Sequence, residues 1–135
     1  MALLTWSNDY SVGVKALDSQ HTVLFNILNE LHDAMLKGQA RAVTATLLKK
    51  LVSYTHEHFA AEEKMMEVAG YPEFDRHRNR HRDLVRQVGE FATRCENGEA
   101  TVNVELMDFL RDWLTRHIQR EDKGYGPWLN EHGVR

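Results

Sequence analysis

The chain has 135 residues, of which 42% are apolar and 27% charged, the proportions of one ordinary globular domain and not of a disordered segment. Its 17 Lys and Arg against 20 Asp and Glu leave a net charge of −3, which argues against general nucleic-acid binding, and the single cysteine, Cys95, excludes an intramolecular disulfide and a cysteine metal site. No stretch approaches the ~20 apolar residues a membrane-spanning helix needs. Met1–Val14 carries no basic cluster ahead of an apolar run, so no signal peptide is expected and the cytoplasm is the predicted location.

Residues 1–17 show no clear period and read as an N-terminal arm, with Trp6 and Tyr10 packed on the body. Asp18 or Ser19 offers an N-cap. Leu24, Phe25, Leu28, Leu31 and Met35 then recur at the three-and-four spacing of an amphipathic helix, which Gly38 ends. A second helix is predicted over about 41–68, with Leu47, Leu48, Leu51, Tyr54, Thr55, Phe59, Met65 and Met66 as its stripe; Gly70-Tyr71-Pro72 breaks it. A third runs over about 73–95, with Phe74, Leu84, Val85, Val88, Phe91 and Ala92, and ends at Asn97-Gly98. A fourth covers about 101–122, with Val104, Leu106, Leu110, Trp113, Leu114 and Ile118, and is closed by Gly124 and Gly126-Pro127. Residues 123–135 form a short tail in which only Trp128 and Leu129 look able to pack. Four amphipathic helices on short links predict an all-α, antiparallel up-down-up-down four-helix bundle filling one domain, 1–135.

Histidine is the outlier, with eight copies. Five of them fall at core positions: His21 opens the apolar face of the first helix, His58 lies in the second, His77 and His81 in the third and His117 in the fourth. Glu62 shares the stripe of His58, and Asp122 follows at the end of the fourth helix. Each such side chain costs about 1–3 kcal/mol or more if buried without a partner, and an ionised carboxylate costs more. A domain with a net stability of about 5–15 kcal/mol does not carry seven of them uncompensated. Metal coordination is the natural compensation. His58–Glu62 and His77–His81 are i, i+4 pairs on one helical face. His117 to Asp122 is i+5, which a regular helix does not return to one face, so the last turn must unwind or widen; the glycines at 124 and 126 make that feasible. Five imidazoles and two carboxylates exceed the four ligands of a structural zinc. Two metals sharing both carboxylates would use all seven, and ligand type leaves Fe, Zn, Cu and Ni open. The H-E-x-x-H metalloprotease motif is absent, and no Glu has a His three residues later, so the ferritin-like E-x-x-H pattern is absent too.

At these residues the chain resembles the hemerythrins, in particular the single-domain bacteriohemerythrins. The resemblance spans nearly the whole chain: Trp6 and Y-S-V-G-V at 10–14, D-S-Q-H ending at His21, H-F-A-A-E-E-K-M-M at 58–66, G-Y-P-E-F-D-R-H-R-N-R-H at 70–81 and W-L-T-R-H-I-Q-R-E-D-K-G-Y at 113–125. It implies a non-haem di-iron centre that binds O2 reversibly. Carried over residue by residue, one iron would be held by His77, His81 and His117 and the other by His21 and His58, with Glu62 and Asp122 bridging both beside an oxo or hydroxo group. The two-His iron keeps an open position for O2, which in the family becomes a hydroperoxide hydrogen-bonded to the bridge. By the same match Leu24, Phe59, Trp113, Leu114 and Ile118 would wall the O2 pocket. The resemblance implies an oxygen carrier or store rather than an enzyme. An oxygen or redox sensor, a di-iron enzyme removing peroxide or nitric oxide, and a zinc or metal-storage protein are the alternatives. A monomer is expected, with an oxygen-using protein as its partner and no membrane insertion.

The remaining polar signals read as ordinary surface or packing. His32 is expected to be packed and hydrogen-bonded, His56 solvated and His132 in the tail. Glu63 lies about 100° off the stripe and yields the bridging role to Glu62. Arg76, Arg78, Arg80, Arg82 and Arg86 read as a solvated face paired with Glu73, Asp75 and Asp83.

Overall fold

The computed structural model describes residues 3–135, so the first two residues of the expected N-terminal arm lie outside it. The order of elements is a short 3-10 turn, Asn8–Tyr10; α1, Lys15–Leu36; α2, Arg41–Val68; α3, Phe74–Glu96; α4, Val104–Arg116; a π-helical turn, His117–Asp122; and α5, Lys123–Glu131. Among the described residues there is no strand. The first three helices and α4, extended by the π turn, are the four predicted elements, and they form the expected all-α four-helix bundle, with α2 packed between α1 and α3 and with α4 against α1. The turn after α2 needs Gly70 at φ +66°, a conformation with little cost only for glycine.

Three boundaries differ from the sequence reading. First, α1 begins at Lys15, ahead of the expected cap at Asp18 or Ser19, and its N-cap Val14 supplies no side chain to the helix end. Asp18 instead sits in the first turn and fastens the arm: its carboxylate accepts the Val12 N–H at 2.9 Å and the Ser11 hydroxyl at 2.6 Å, where the positive end of the helix favours a negative charge. Second, α4 begins at Val104. Asn103 caps it by accepting the Leu106 N–H at 2.9 Å, the usual role of Asn at this position. Third, residues 123–131 are α5 and not a tail, with Tyr125, Gly126 and Leu129 buried and Pro127 inside the helix. Gly126 is read wrongly as a stop because its use is close approach: a Cβ there would run into the Val12 carbonyl oxygen. A Cβ on Gly124 would lie 3.1 Å from the Tyr71 hydroxyl.

The arm packs as expected. Trp6 and Tyr10 meet Phe25 of α1 edge-on at 5.5 and 5.0 Å between ring centroids, the preferred geometry for aromatic pairs. Asn29 clasps Leu4 with two bonds of 2.8 Å, one to its N–H and one from its own amide to the Leu4 carbonyl. The apolar core runs along the bundle through Leu17, Leu24, Leu28, Leu48, Leu110 and Leu129, each fully buried. No helix among the described residues is long and apolar enough to cross a membrane.

Candidate metal centre

Nine polar or charged residues are buried among those described. Two are threonines that satisfy themselves on their own helix: Thr55 donates to the Leu51 carbonyl at 2.7 Å and Thr44 to that of Arg41 at 3.1 Å. The other seven are His21, His58, Glu62, His77, His81, His117 and Asp122, between 0% and 6% exposed. These are the seven side chains that the sequence singles out, six by helical periodicity and Asp122 by its nearness to His117.

All four helices of the bundle contribute. His21 comes from the first turns of α1, His58 and Glu62 from one face of α2, and His77 and His81 from one face of α3. His117 and Asp122 bracket the π turn. Residues five apart on an α-helix are about 140° out of line, and a π turn, bonded i to i+5, removes that offset. The Lys123 N–H donates to the Ile118 carbonyl across five residues, and Asp122 Oδ1 comes within 3.0 Å of His117 Nε2. The last turn widens, as the i+5 spacing requires.

The seven side chains fall into two overlapping groups, each with its candidate ligand atoms within 4.8 Å of one another. One holds His77, His81, His117, Glu62 and Asp122; the other holds His21, His58, Glu62 and Asp122. Both carboxylates belong to both groups. His21 Nε2 lies 3.0 Å from Glu62 and 3.1 Å from Asp122. His77 Nε2 lies 2.9 Å from Asp122 and 3.5 Å from Glu62. His58 Nε2 also meets Glu62, and the Nε2 atoms of His81 and His117 face each other at 3.1 Å.

Several of these contacts are close without being hydrogen bonds. Glu62 Oε2, both carboxylate oxygens of Asp122 and His77 Nε2 have no hydrogen-bonding partner although fully shielded from water. Buried polar groups left this way cost about 1–3 kcal/mol each. Lone pairs that crowd together yet miss hydrogen-bond alignment point at shared positions between them, which is the arrangement of ligands around cations. The donor set, imidazole with carboxylate, fits divalent transition metals such as iron.

With no cation, protons take that role. Burial alone would lower the pKa of His21, but its close contacts with the Asp122 and Glu62 carboxylates and their charges raise it to about 10. His77 is raised to about 9 by the same two carboxylates against the same burial effect. Burial would raise Glu62 and Asp122, and the surrounding imidazoles hold both below the usual carboxylate range. Burial leads in keeping His81 below the ordinary imidazole value. A cation seated among these atoms would have to displace those protons.

The five expected pocket residues are placed as follows. Leu24 and Ile118 are 0% exposed, Leu114 2% and Phe59 3%, and Trp113 is half-buried. The Phe59 ring stacks on His81 at 3.6 Å and also faces His58 and His117. Trp113 is nearly parallel to His117 at 6.5 Å. Leu24 and Leu114 sit three residues from His21 and His117, one turn along each helix, and Ile118 follows His117 directly.

Three side chains at the centre escaped the sequence reading. Tyr125 is fully buried, with its ring 5.5 Å from His77. Burial first, then the Glu62 and Asp122 charges, push its phenol well above the ordinary value. It falls three residues after Asp122, and treating 123–135 as a tail hid that helical relation. Gln20 accepts the His58 Nδ1–H at 2.6 Å. Glu63, set aside as the lesser bridge candidate, accepts from His81 Nδ1 at 3.4 Å.

The other polar residues behave mostly as read. Arg78 and Arg86 pair with Asp75 and Asp83 at 3.3 and 3.6 Å, and Arg76 and Arg80 also reach Glu121 at 3.3 and 3.2 Å. Such exposed pairs contribute little. His56 is exposed, and His132 stacks on Trp128 at 4.4 Å. His32 differs: it is half-buried, and its Nδ1 has no partner instead of the expected hydrogen bond.

Residues 12–129 match the hemerythrin HHE cation binding domain family. A bacteriohemerythrin of Pseudomonas aeruginosa is 40% identical over 125 residues, covering 93% of this chain and 80% of that protein. A bacteriohemerythrin of Methylococcus capsulatus is 37% identical over 131 residues, covering 96% and 99%. Among solved structures, a crystal structure of wild-type hemerythrin superposes with a TM-score of 0.91 at 37% identity, covering 95% of this chain and 98% of that one.

Proposed function

Since the chain belongs to the hemerythrin family, we propose that its buried cluster holds two non-haem iron ions and binds O2 reversibly, as a carrier or store rather than an enzyme. The observation that carries this reading is the sharing of Glu62 and Asp122 between two ligand groups of unequal size. His77, His81 and His117 would hold one ion and His21 and His58 the other, with Glu62, Asp122 and an oxo or hydroxo group between them. When bound, the iron pair would supply a reducible centre for O2, with fewer protein ligands from His21 and His58 than from His77, His81 and His117.

The chain's own residues do the rest. Two carboxylates offset only half the charge of two divalent cations and five neutral imidazoles add none, so the site disfavours further positive charge and favours the reduced state that O2 requires. Leu24, Phe59, Trp113, Leu114 and Ile118 line the approach with apolar surface, and a dry wall slows the escape of a charged, reduced ligand. Residues 1–135 serve as one domain, monomeric and cytoplasmic, that exchanges O2 with an oxygen-using protein.

The test is metal analysis paired with an optical spectrum of protein reduced without air and then exposed to it. Two irons per chain, and a visible charge-transfer band that comes with O2 and leaves when it is removed, are expected. Two irons that pass directly to a ferric spectrum would overturn the carrier reading in favour of a sensor or enzyme. Zinc, or no metal, would overturn the di-iron reading.

A further inference from the structure

The helix that presents His58 and Glu62 carries a second row one residue along, Phe59 and Glu63, also four apart and hence on one face. That row grips a single ring of the neighbouring helix. Phe59 lies flat on His81 with 3° between planes, and the Glu63 carboxylate accepts from its Nδ1. Glu63 keeps one side in water, at 25% exposure. Across the cluster, Gln20 accepts from Nδ1 of His58. In both rings the acceptor on the outer nitrogen holds a proton there and turns Nε2 toward Glu62.

We propose that Glu63 and Gln20 are positioning residues that lock His81 and His58 in the Nδ1–H form and, being one a carboxylate and the other an amide, make the two halves of the centre unequal in donor strength. An imidazole whose outer N–H is held by a carboxylate is the stronger ligand, and loss of such a partner typically costs about 10–100-fold in metal affinity. An amide oxygen orients the ring without adding charge. The three-His half is thus strengthened by a charge that the two-His half lacks. The inference rests on the di-iron reading for its consequence, but its first test does not.

Nitrogen-15 NMR of the metal-free full chain reports the tautomer of each histidine. Both His81 and His58 are expected to carry a proton on Nδ1. Glu63→Ala should turn His81 into a tautomer mixture and leave His58 alone, Gln20→Ala should do the reverse, and Glu63→Gln should restore His81. An unchanged His81 in Glu63→Ala overturns the proposal. Ferrous iron titrated against a competing chelator gives the second readout: about 10–100-fold weaker binding in Glu63→Ala, only partly recovered in Glu63→Gln, which restores the bond without the charge. The third is the reduction potential, which should rise in Glu63→Gln because the bond stays and the charge goes; an unchanged potential removes the claim of inequality. If the tautomers respond but no iron binds, the di-iron reading fails and the positioning stands. If two irons bind with equal affinity in all variants, the positioning fails alone.

Discussion

Glu62 is the residue whose removal the geometry punishes most, because four of the five cluster imidazoles address it. His21 lies at 3.0 Å, His81 at 3.4 Å and His77 at 3.5 Å, with His58 also in contact. Glu62→Ala leaves Asp122 as the sole carboxylate for two cations, so iron content should fall from two per chain to one or none. In the metal-free state the same change strips a counter-charge from the protonated, buried His21 and His77. Removing one partner from a buried ionic pair costs about 3–5 kcal/mol. Unfolding entropy of about 2.1 cal/mol/K per residue over 135 residues makes each kcal/mol worth ~3.5 °C. Thermal melts of the metal-free variant should therefore fall by about 10–18 °C. Exposed Glu57, on the same helix, is the control: Glu57→Ala should stay within about 2 °C, as a surface change does. Two irons per chain in Glu62→Ala, or a melt no lower than that of the control, would refute the assignment of Glu62 to the centre.

Three further outcomes follow from the same geometry. Gly126→Ala should lower the melting temperature by about 4–10 °C, since the added Cβ meets Val12 backbone and overpacking costs about 1–3 kcal/mol; an unchanged melt would show that α5 does not seat on the arm. Metal-free protein should lose stability as pH rises. His21 and His77, raised from 6.5 to about 10 and about 9, contribute fully below pH 6.5, and that contribution is lost through pH 9–10. The lowered Glu62 and Asp122 contribute above the carboxylate range and fail only in strong acid; a melt that stays flat between pH 6.5 and 10 would contradict the paired arrangement. Leu114→Ala, at a site 2% exposed, should cost about 2–5 kcal/mol, keep iron and speed oxidation in air. An unaltered oxidation rate, followed optically, would remove Leu114 from the pocket.

What was legible in the sequence was whatever shows as polarity at an apolar position. His21, His58, Glu62, His77, His81 and His117 each interrupt a helical stripe, so periodicity alone locates them. Asp122 was legible only by its nearness to the others, because its i+5 spacing fits no regular helix. Tyr125 was hidden by reading Gly124, Gly126 and Pro127 as terminators. Glycine carries two meanings, conformational freedom and absence of bulk, and Gly126 is present for the second. Gln20 and Glu63 lie beside the stripes, where polar residues are ordinary, and only the distance from each to a ring nitrogen distinguishes them from solvated neighbours. Asp18 reads as a cap from composition, but the arm that needs its carboxylate is upstream.

The π turn also bears on how such centres are searched for. It inserts one surplus residue between His117 and Asp122 relative to the His58–Glu62 pair, yet both pairs present an imidazole and a carboxylate to the same cations. A pattern built on α-helical arithmetic, histidine then carboxylate four positions later, retrieves the first pair and steps over the second. A search for uncharacterised centres of this type should therefore admit both spacings within one chain, and score a five-residue interval before a small-residue stretch as evidence for a ligand and not against it.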